Sequence, residues 1–348
     1  MLAPSRILKP AVKRAGGGRD RDKLVAKSYE MIAEGSKSFA SASRLFDLDT
    51  RERVWMLYAW CRRCDDITDG QQLGGALAKQ DGPVDRTKAI RVLTRRAIDG
   101  EPTADIAFDA FGQVASECRL TMSMADDVIA GFALDAKGWR PRNSAGLARY
   151  CFHVAGAVGV MMARVMGVPA DDDYTLARAC DLGIAFQLAN IARDMAEDDA
   201  AGRCYIPAEW LAEEDIEPGQ LMKPHHRGEA SDIARRLALT MDRHLRAAKL
   251  GTVHLPFRSR WAILSAANIY GAIGYEVDRL DHKAWDHRVV ISRPRKLWLI
   301  VQSFFEALWN RPMPPDHMPE WTYADILLEV RMSGDIPPPP MTPLPDED

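Results

Sequence analysis

Two acidic stretches hold the residues best able to do chemistry. They are Tyr58-Ala-Trp-Cys-Arg-Arg-Cys-Asp-Asp-Ile-Thr-Asp69 and Gln187-Leu-Ala-Asn-Ile-Ala-Arg-Asp-Met-Ala-Glu-Asp198. At about 100° per residue, Tyr58, Arg62, Asp65 and Asp69 fall within an arc of about 60°, and Gln187, Asn190, Asp194 and Asp198 within about 80°. Asp66 lies on the margin of the first stripe; Arg193 and Glu197 flank the second. Carboxylates four apart on a helix repel each other, and burial raises that cost. Two such pairs on separate helices, facing one cavity, suit hard divalent cations. Mg²⁺ takes oxygen ligands and is usually held by a few carboxylates together with substrate phosphates. The implied substrate is a phosphate or diphosphate ester. Either cluster alone reads equally well as a solvated acidic face. A di-iron centre would call for Glu-x-x-His pairs, and neither cluster has one. His153 reads as a satisfied helix histidine. Cys61 and Cys64 have CxxC spacing but no second ligand pair at suitable spacing for zinc, so they read as small side chains inside a helix.

Helices must position these residues. Ala, Leu, Met, Arg and Glu are common, and all favour helix. Apolar residues recur at i, i+3, i+4 and i+7: Val54, Leu57, Tyr58 and Cys61, then Leu147, Tyr150, Cys151 and Val154. Ile184, Leu188 and Ile191 continue the pattern, as do Leu237, Met241 and Leu245. Breaks fall at Gly70 to Gly75, Gly100 to Pro102, Gly138 to Asn143, Gly167 to Pro169, Pro207, and Pro218 to Gly228. The expectation is an all-α, single-domain helical bundle over residues 23–310. A basic N-terminal tail, 1–22, precedes it. A proline-rich C-terminal tail, 311–348, follows, with ten of the 21 prolines, and is expected on the surface or disordered.

Composition narrows the function. The chain has 348 residues, 47% of them hydrophobic and 27% charged, which is ordinary globular usage. A net charge of -3 argues against a nucleic-acid partner. The longest stretches without Asp, Glu, Lys or Arg are Tyr150 to Ala163 and Trp261 to Tyr275, 14 and 15 residues. Both are shorter than the roughly 20 residues of a spanning helix. The start lacks the apolar core of a secretory signal. Six cysteines do not make a disulfide scaffold, so a cytoplasmic location is expected.

From about Lys27 to Trp309 the chain resembles the squalene/phytoene synthases, an all-helical isoprenoid synthase family. The matching parts are Gly35-Ser-Lys-Ser-Phe39, Leu57 to Asp69, Tyr150-Cys-Phe-His-Val-Ala-Gly-Ala-Val-Gly159, and Gln187 to Asp198 followed by Gly202-Arg-Cys-Tyr-Ile-Pro207. Their wording is most like the bacterial phytoene synthase branch. Asp199, Ala200 and Ala201 depart from the usual pattern before the Arg203 loop.

The resemblance implies an isoprenoid synthase bundle with a central apolar cavity. It also implies head-to-head condensation of two geranylgeranyl diphosphates, through prephytoene diphosphate, to phytoene in carotenoid biosynthesis. Asp65, Asp69, Asn190, Asp194 and Asp198 match the family's metal positions, for two or three Mg²⁺ or Mn²⁺ ions on the diphosphate. Arg62 and Arg193 match diphosphate contacts, and Ser36, Lys37 and Ser38 match a phosphate-contacting turn that also reads as a plain N-cap. Tyr58, Gln187 and Tyr270 match further substrate positions. Arg203 and Tyr205 sit in a loop able to close over the site, or in an ordinary surface loop. Tyr150 faces the carbocation or simply packs. Gly156 and Gly159 permit close approach of a helix or a prenyl chain. Apolar residues within Val154 to Met162, Ile184 to Ile191 and Ile263 to Ile273 would wall the cavity against water. No NADPH is implied.

Three rival readings stand beside this one, of which a head-to-tail prenyl elongation enzyme or terpene cyclase fits poorly with the Tyr-x-x-x-Arg before the first cluster and the Gln-x-x-Asn before the second. A squalene or dehydrosqualene synthase would use farnesyl diphosphate with the same metal and phosphate residues. A non-catalytic member of the family would serve as an assembly factor, although it would have no need of all five acid and amide positions. The lipophilic substrate and the basic tail lead to an expectation of peripheral attachment to the inner face of the cell membrane, and of contact with other carotenoid-pathway enzymes.

Overall fold

Short polar residues start the helices that the periodicity predicts. The computed structural model describes residues 13–68, 83–217, 219–309 and 312–334. Helix α1 (Arg21–Gly35) is capped by Asp20 and α2 (Lys37–Ala42) by Ser36, whose Oγ accepts the Phe39 N–H at 3.3 Å. Next come α3 (Leu48–Thr68) and α4 (Pro83–Ile98). Asp105, Thr121 and Asn143 cap α5 (Ile106–Cys118), α6 (Met122–Ala136) and α7 (Ser144–Cys151). A π-helical turn, Phe152–Gly156, leads into α8 (Ala157–Val165). Asp172 caps the long α9 (Asp173–Ala200). The rest are α10 (Ala208–Glu213), α11 (Arg227–Gly251), α12 (Phe257–Leu280), α13 (Arg293–Trp309) and α14 (Tyr323–Ser333). The described residues contain no strand, and the fold is the all-α bundle expected.

Helix α9 is the axis of the bundle, packed against α8, α11 and α12. Ile184, Ala185, Leu188, Ala189, Ile191 and Ala192 are all buried along it. A Cβ on Gly159 would run into the Ala179 carbonyl oxygen, so this glycine serves helix packing. On the far side α3 packs on α1 and α5. Trp60 stacks on Phe111 at 4.2 Å and donates to Thr94 at 3.1 Å. Glu117 ties these three helices together, accepting from Arg21 at 2.6 Å, Arg53 at 2.9 Å and Gln113 at 2.8 Å. The continuous run Ser144–Val165 is long and apolar enough to span a bilayer by length and composition, but 61% of it is buried inside the protein. It is a core helix, interrupted by the π-turn.

The tails are more structured than composition suggests. Arg14 donates its backbone N–H to Gly100 at 2.9 Å. Arg19 pairs at 2.6 Å with Asp109, a fully buried carboxylate that also accepts from Thr103 at 2.8 Å. A buried charge needs a counter-charge, and the N-terminal stretch supplies it. Within the C-terminal stretch, Thr322 and Asp325 form a reciprocal capping box that starts α14. This helix sinks Ile326 and Val330 into the main core. No proline lies between Pro319 and Pro337, which leaves room for it. The rest of both predicted tails, 1–12 and 335–348, lies outside the described residues.

Candidate active site

The second acidic stretch lies on the C-terminal half of α9, where the core gives way to a cavity of about 240 Å³. Tyr150, Gln187, Asn190, Arg193, Asp194, Asp198, Arg203 and Tyr205, all singled out from the sequence, line it together with Ile191. Arg193 grips Asp194 with both nitrogens, Nε to Oδ1 at 2.7 Å and Nη2 to Oδ2 at 2.5 Å. Arg288 adds a contact to Asp194 at 2.9 Å and reaches Glu197 at 3.8 Å. Arg203 holds Asp198 at 3.2 Å. Burial pushes Asp194 upward, but the hydrogen bond and charge of Arg193, with Arg288, outweigh it and hold the group below its ordinary value. Burial lifts Asp198 above its ordinary value despite Arg203.

The loop after α9 closes over this cavity. Tyr205 stacks on Tyr150 at 4.8 Å, and Tyr150 on Trp139 at 5.8 Å. Both phenols point at Asp135 on α6: Tyr150 donates at 2.9 Å and Tyr205 at 3.3 Å. Arg140 fastens the loop by donating to the Gly202 carbonyl at 2.9 Å. Burial raises the Asp135 carboxyl, and burial with the nearby Asp135 charge pushes Tyr205 up to about 12, so this tyrosine stays a neutral donor. Arg203 and Tyr205 therefore belong to the site rather than to a plain surface loop, and Tyr150 both packs and faces the cavity.

The first acidic stretch forms a second group at the end of α3. Arg62 pairs with Asp65 at 3.1 Å and Asp66 at 2.8 Å. The side chains of Arg62 and Asp65 are 40% and 47% exposed, not in the interior that the helical phase suggests, and neither lines the α9 cavity. Tyr58 packs on Phe39 at 5.5 Å, and a Cβ on Gly35 would strike its hydroxyl, which seats the Gly35-to-Phe39 turn on α3. Ser36 acts there as the N-cap of α2. Asp69 and the side chains of Lys37 and Ser38 lie outside the described residues. Cys61 is only partly buried, yet desolvation and the Asp65 charge push its thiol up to about 12. Cys64, also held protonated by burial, shares no metal site with it among the described residues.

Ile191 is the aliphatic residue of the cavity lining. Val154, Val158 and Met162, spaced four apart, are partly accessible and pack on the core. Tyr270 stacks on Phe186 at 4.1 Å, with its phenol close enough to act electrostatically on Arg193. His153 is buried and its Nδ1 donates to the Asp127 carbonyl at 2.7 Å. Two site residues escaped sequence reasoning. Asp135 is an acid closing the apolar run Val128 to Leu134, a signal that could have found it. Arg288 lies in the segment between α12 and α13, outside any helical phase, and left no such signal.

Among the described residues no three His, Cys, Asp or Glu side chains form a metal cage of their own. The α9 donors Asn190, Asp194 and Asp198 offer only hard oxygens. Such a set suits Mg²⁺ or Mn²⁺ with the remaining positions filled by substrate phosphate and water.

A profile of the squalene/phytoene synthase family matches residues 32–295, and the chain belongs to that family. The 15-cis-phytoene synthase of Pantoea ananas is 43% identical, covering 85% of this chain and 97% of that one. The 15-cis-phytoene synthase of Enterobacter agglomerans is 46% identical, covering 80% and 94%. A crystal structure of a dehydrosqualene synthase superposes with a TM-score of 0.71 at 25% identity, covering 81% of this chain and 96% of that one. A squalene synthase from Alicyclobacillus acidocaldarius shares the fold, with a TM-score of 0.66 at 20% identity, covering 77% and 99%.

Proposed function

We propose that this chain is a prenyl transferase that joins two geranylgeranyl diphosphates head to head, through prephytoene diphosphate, to give phytoene and two diphosphates in carotenoid biosynthesis. One observation carries the reading. A single cavity gathers Gln187, Asn190, Asp194 and Asp198 with Arg193, Arg203, Tyr150 and Tyr205, in a chain 43% and 46% identical to two 15-cis-phytoene synthases. Identity to the dehydrosqualene synthase is lower, at 25%, so the farnesyl reading is not favoured.

The residues divide the work. Two or three Mg²⁺ or Mn²⁺ ions, when held by Asp65, Asp69, Asn190, Asp194 and Asp198, supply Lewis-acid stabilisation of charge on the departing diphosphate. Arg62, Arg193 and Arg203 act as resident counter-ions to the acids. On substrate binding they turn to the diphosphate oxygens, which a guanidinium meets two at a time. Tyr150, Tyr205 and Trp139 form a stacked wall that excludes water from the cation and presents ring faces to it. Asp135 positions that wall by accepting from both phenols. Phytoene formation ends in loss of a proton and takes up no hydride, so no NADPH is required. The hydrocarbon product needs an apolar acceptor, and the proposal places the chain at the inner face of the cell membrane.

Incubation with geranylgeranyl diphosphate, or with farnesyl diphosphate, in the presence of Mg²⁺ or Mn²⁺ tests the reading. The expected hydrocarbon is phytoene from the first substrate. Conversion of only the farnesyl substrate, or no diphosphate release from either, overturns it.

A further inference from the structure

Surface helices normally hide apolar residues and display polar ones. Helix α13 displays a second apolar side as well. Its inward side bears Phe304 and Ala307 together with the polar Ser303 and Glu306. Asn268 donates to Ser303 and to Glu306, each at 2.8 Å, and Lys249 pairs with Glu306 at 2.9 Å. Trp261 adds a bond to the Ile300 carbonyl at 2.9 Å. Its outward side bears Leu297, Trp298, Val301, Phe305, Leu308 and Trp309, which are 64%, 65%, 41%, 46%, 46% and 72% exposed. At about 100° per residue these six fall within an arc of about 120°. The bonds of Glu306 to Lys249 and Asn268 and of Ser303 to Asn268 fix which side of α13 faces inward.

We propose that the outward face of α13 is a membrane-docking surface that lies in the headgroup layer of an anionic bilayer. This rests on the peripheral location proposed above and names the surface responsible. Trp298 and Trp309 stand at the two ends of the stripe, and indole rings favour the membrane–water interface. Arg293, Arg295 and Lys296 form a basic first turn, in which Arg295 also reaches Glu276 at 3.4 Å. The sole acid of α13 is Glu306, which faces inward and is paired. The exposed face therefore carries no negative charge, although the whole chain is at -3. That pattern complements anionic lipid. Of the N-terminal arginines, Arg19 and Arg21 are committed to Asp109, Glu52 and Glu117.

Flotation of the full chain with vesicles of phosphatidylglycerol and phosphatidylcholine provides the test, with pure phosphatidylcholine vesicles in parallel. The unaltered chain is expected to float with the anionic vesicles. Trp298→Gln combined with Trp309→Gln should reduce membrane partitioning by at least about tenfold. Arg293→Gln combined with Arg295→Gln should reduce it less and remove most of its salt dependence. Both variants should keep the helical circular dichroism and the turnover of detergent-dispersed substrate. An unaltered chain that does not float overturns the peripheral location and the docking surface together. Equal flotation of the unaltered and double-Trp chains overturns the α13 surface and leaves the location standing. A dimer that the double-Trp change converts to monomer, without flotation, assigns the face to a second copy and overturns the proposal.

Discussion

The two acidic stretches are built differently. On α9, Asp194 and Asp198 are 19% and 16% exposed, and three arginines from separate places in the chain hold them. On α3, Asp65 is 47% exposed and shares one arginine with Asp66. A well-packed group costs little reorganisation when substrate arrives, whereas an exposed side chain can still choose its partner. The contrast sets a packed, arginine-held acidic group on α9 against a more exposed one at the end of α3.

The largest expected effect comes from the packed group. Asp194→Asn should lower diphosphate release by about 10³-fold or more at unchanged helical content, as expected for loss of a group aimed at developing charge. Asp65→Asn should cost less, about 10²-fold, and recover partly at high metal concentration. Equal losses without recovery would erase the distinction between the two groups. The scaffold under α3 comes next. Burial raises the Glu117 carboxyl, but hydrogen bonds from Arg21, Gln113 and Arg53 prevail and hold it at about 2, against an ordinary 4.5. Its contribution is therefore complete above pH 4.5 and is lost as pH falls toward about 2. Glu117→Gln should remove at most about 3 kcal/mol at neutral pH and flatten that acid limb, as read by denaturant unfolding at a series of pH values.

A smaller effect is expected at the lid. Asp135→Asn keeps the shape but weakens acceptance from both phenols, so hydrocarbon yield should fall about tenfold while prenyl alcohols rise. Product chromatography would show whether water enters. Metal removal should be the least visible structurally. Chelation should stop turnover yet change unfolding free energy by less than about 1 kcal/mol, since the arginines already neutralise the acids. A large drop on chelation would mean that these pairs do not stand in for the ions.

Much of this could be read beforehand because helical phase is written in residue order. The shared stripe of Gln187, Asn190, Asp194 and Asp198 predicts their common cavity, and Gly138 and Gly167, both at positive φ, end helices where breaks were expected. Phase gives direction around a helix but not depth along it. Asp65 is therefore expected inside, whereas on the last turn of α3 its side chain is 47% exposed while Ile67, on the same turn, is buried. Pairings between distant segments, such as Arg19 with Asp109 or Arg288 with Asp194, leave no periodic trace at all. The same holds for Asp135, whose partners lie 15 and 70 residues further along the chain.

Helix α14 alters what counts as the end of the catalytic unit. It rests on α7 and α9, and its Tyr323 ring meets Phe152 at 6.1 Å, just after Tyr150. A shortened version ending near 311 would uncover Ile326's pocket and unbrace the helix that aims Tyr150, whereas one ending after Gly334 would keep that buttress. Where to cut is decided by what the last residues lean on, not by how many prolines surround them.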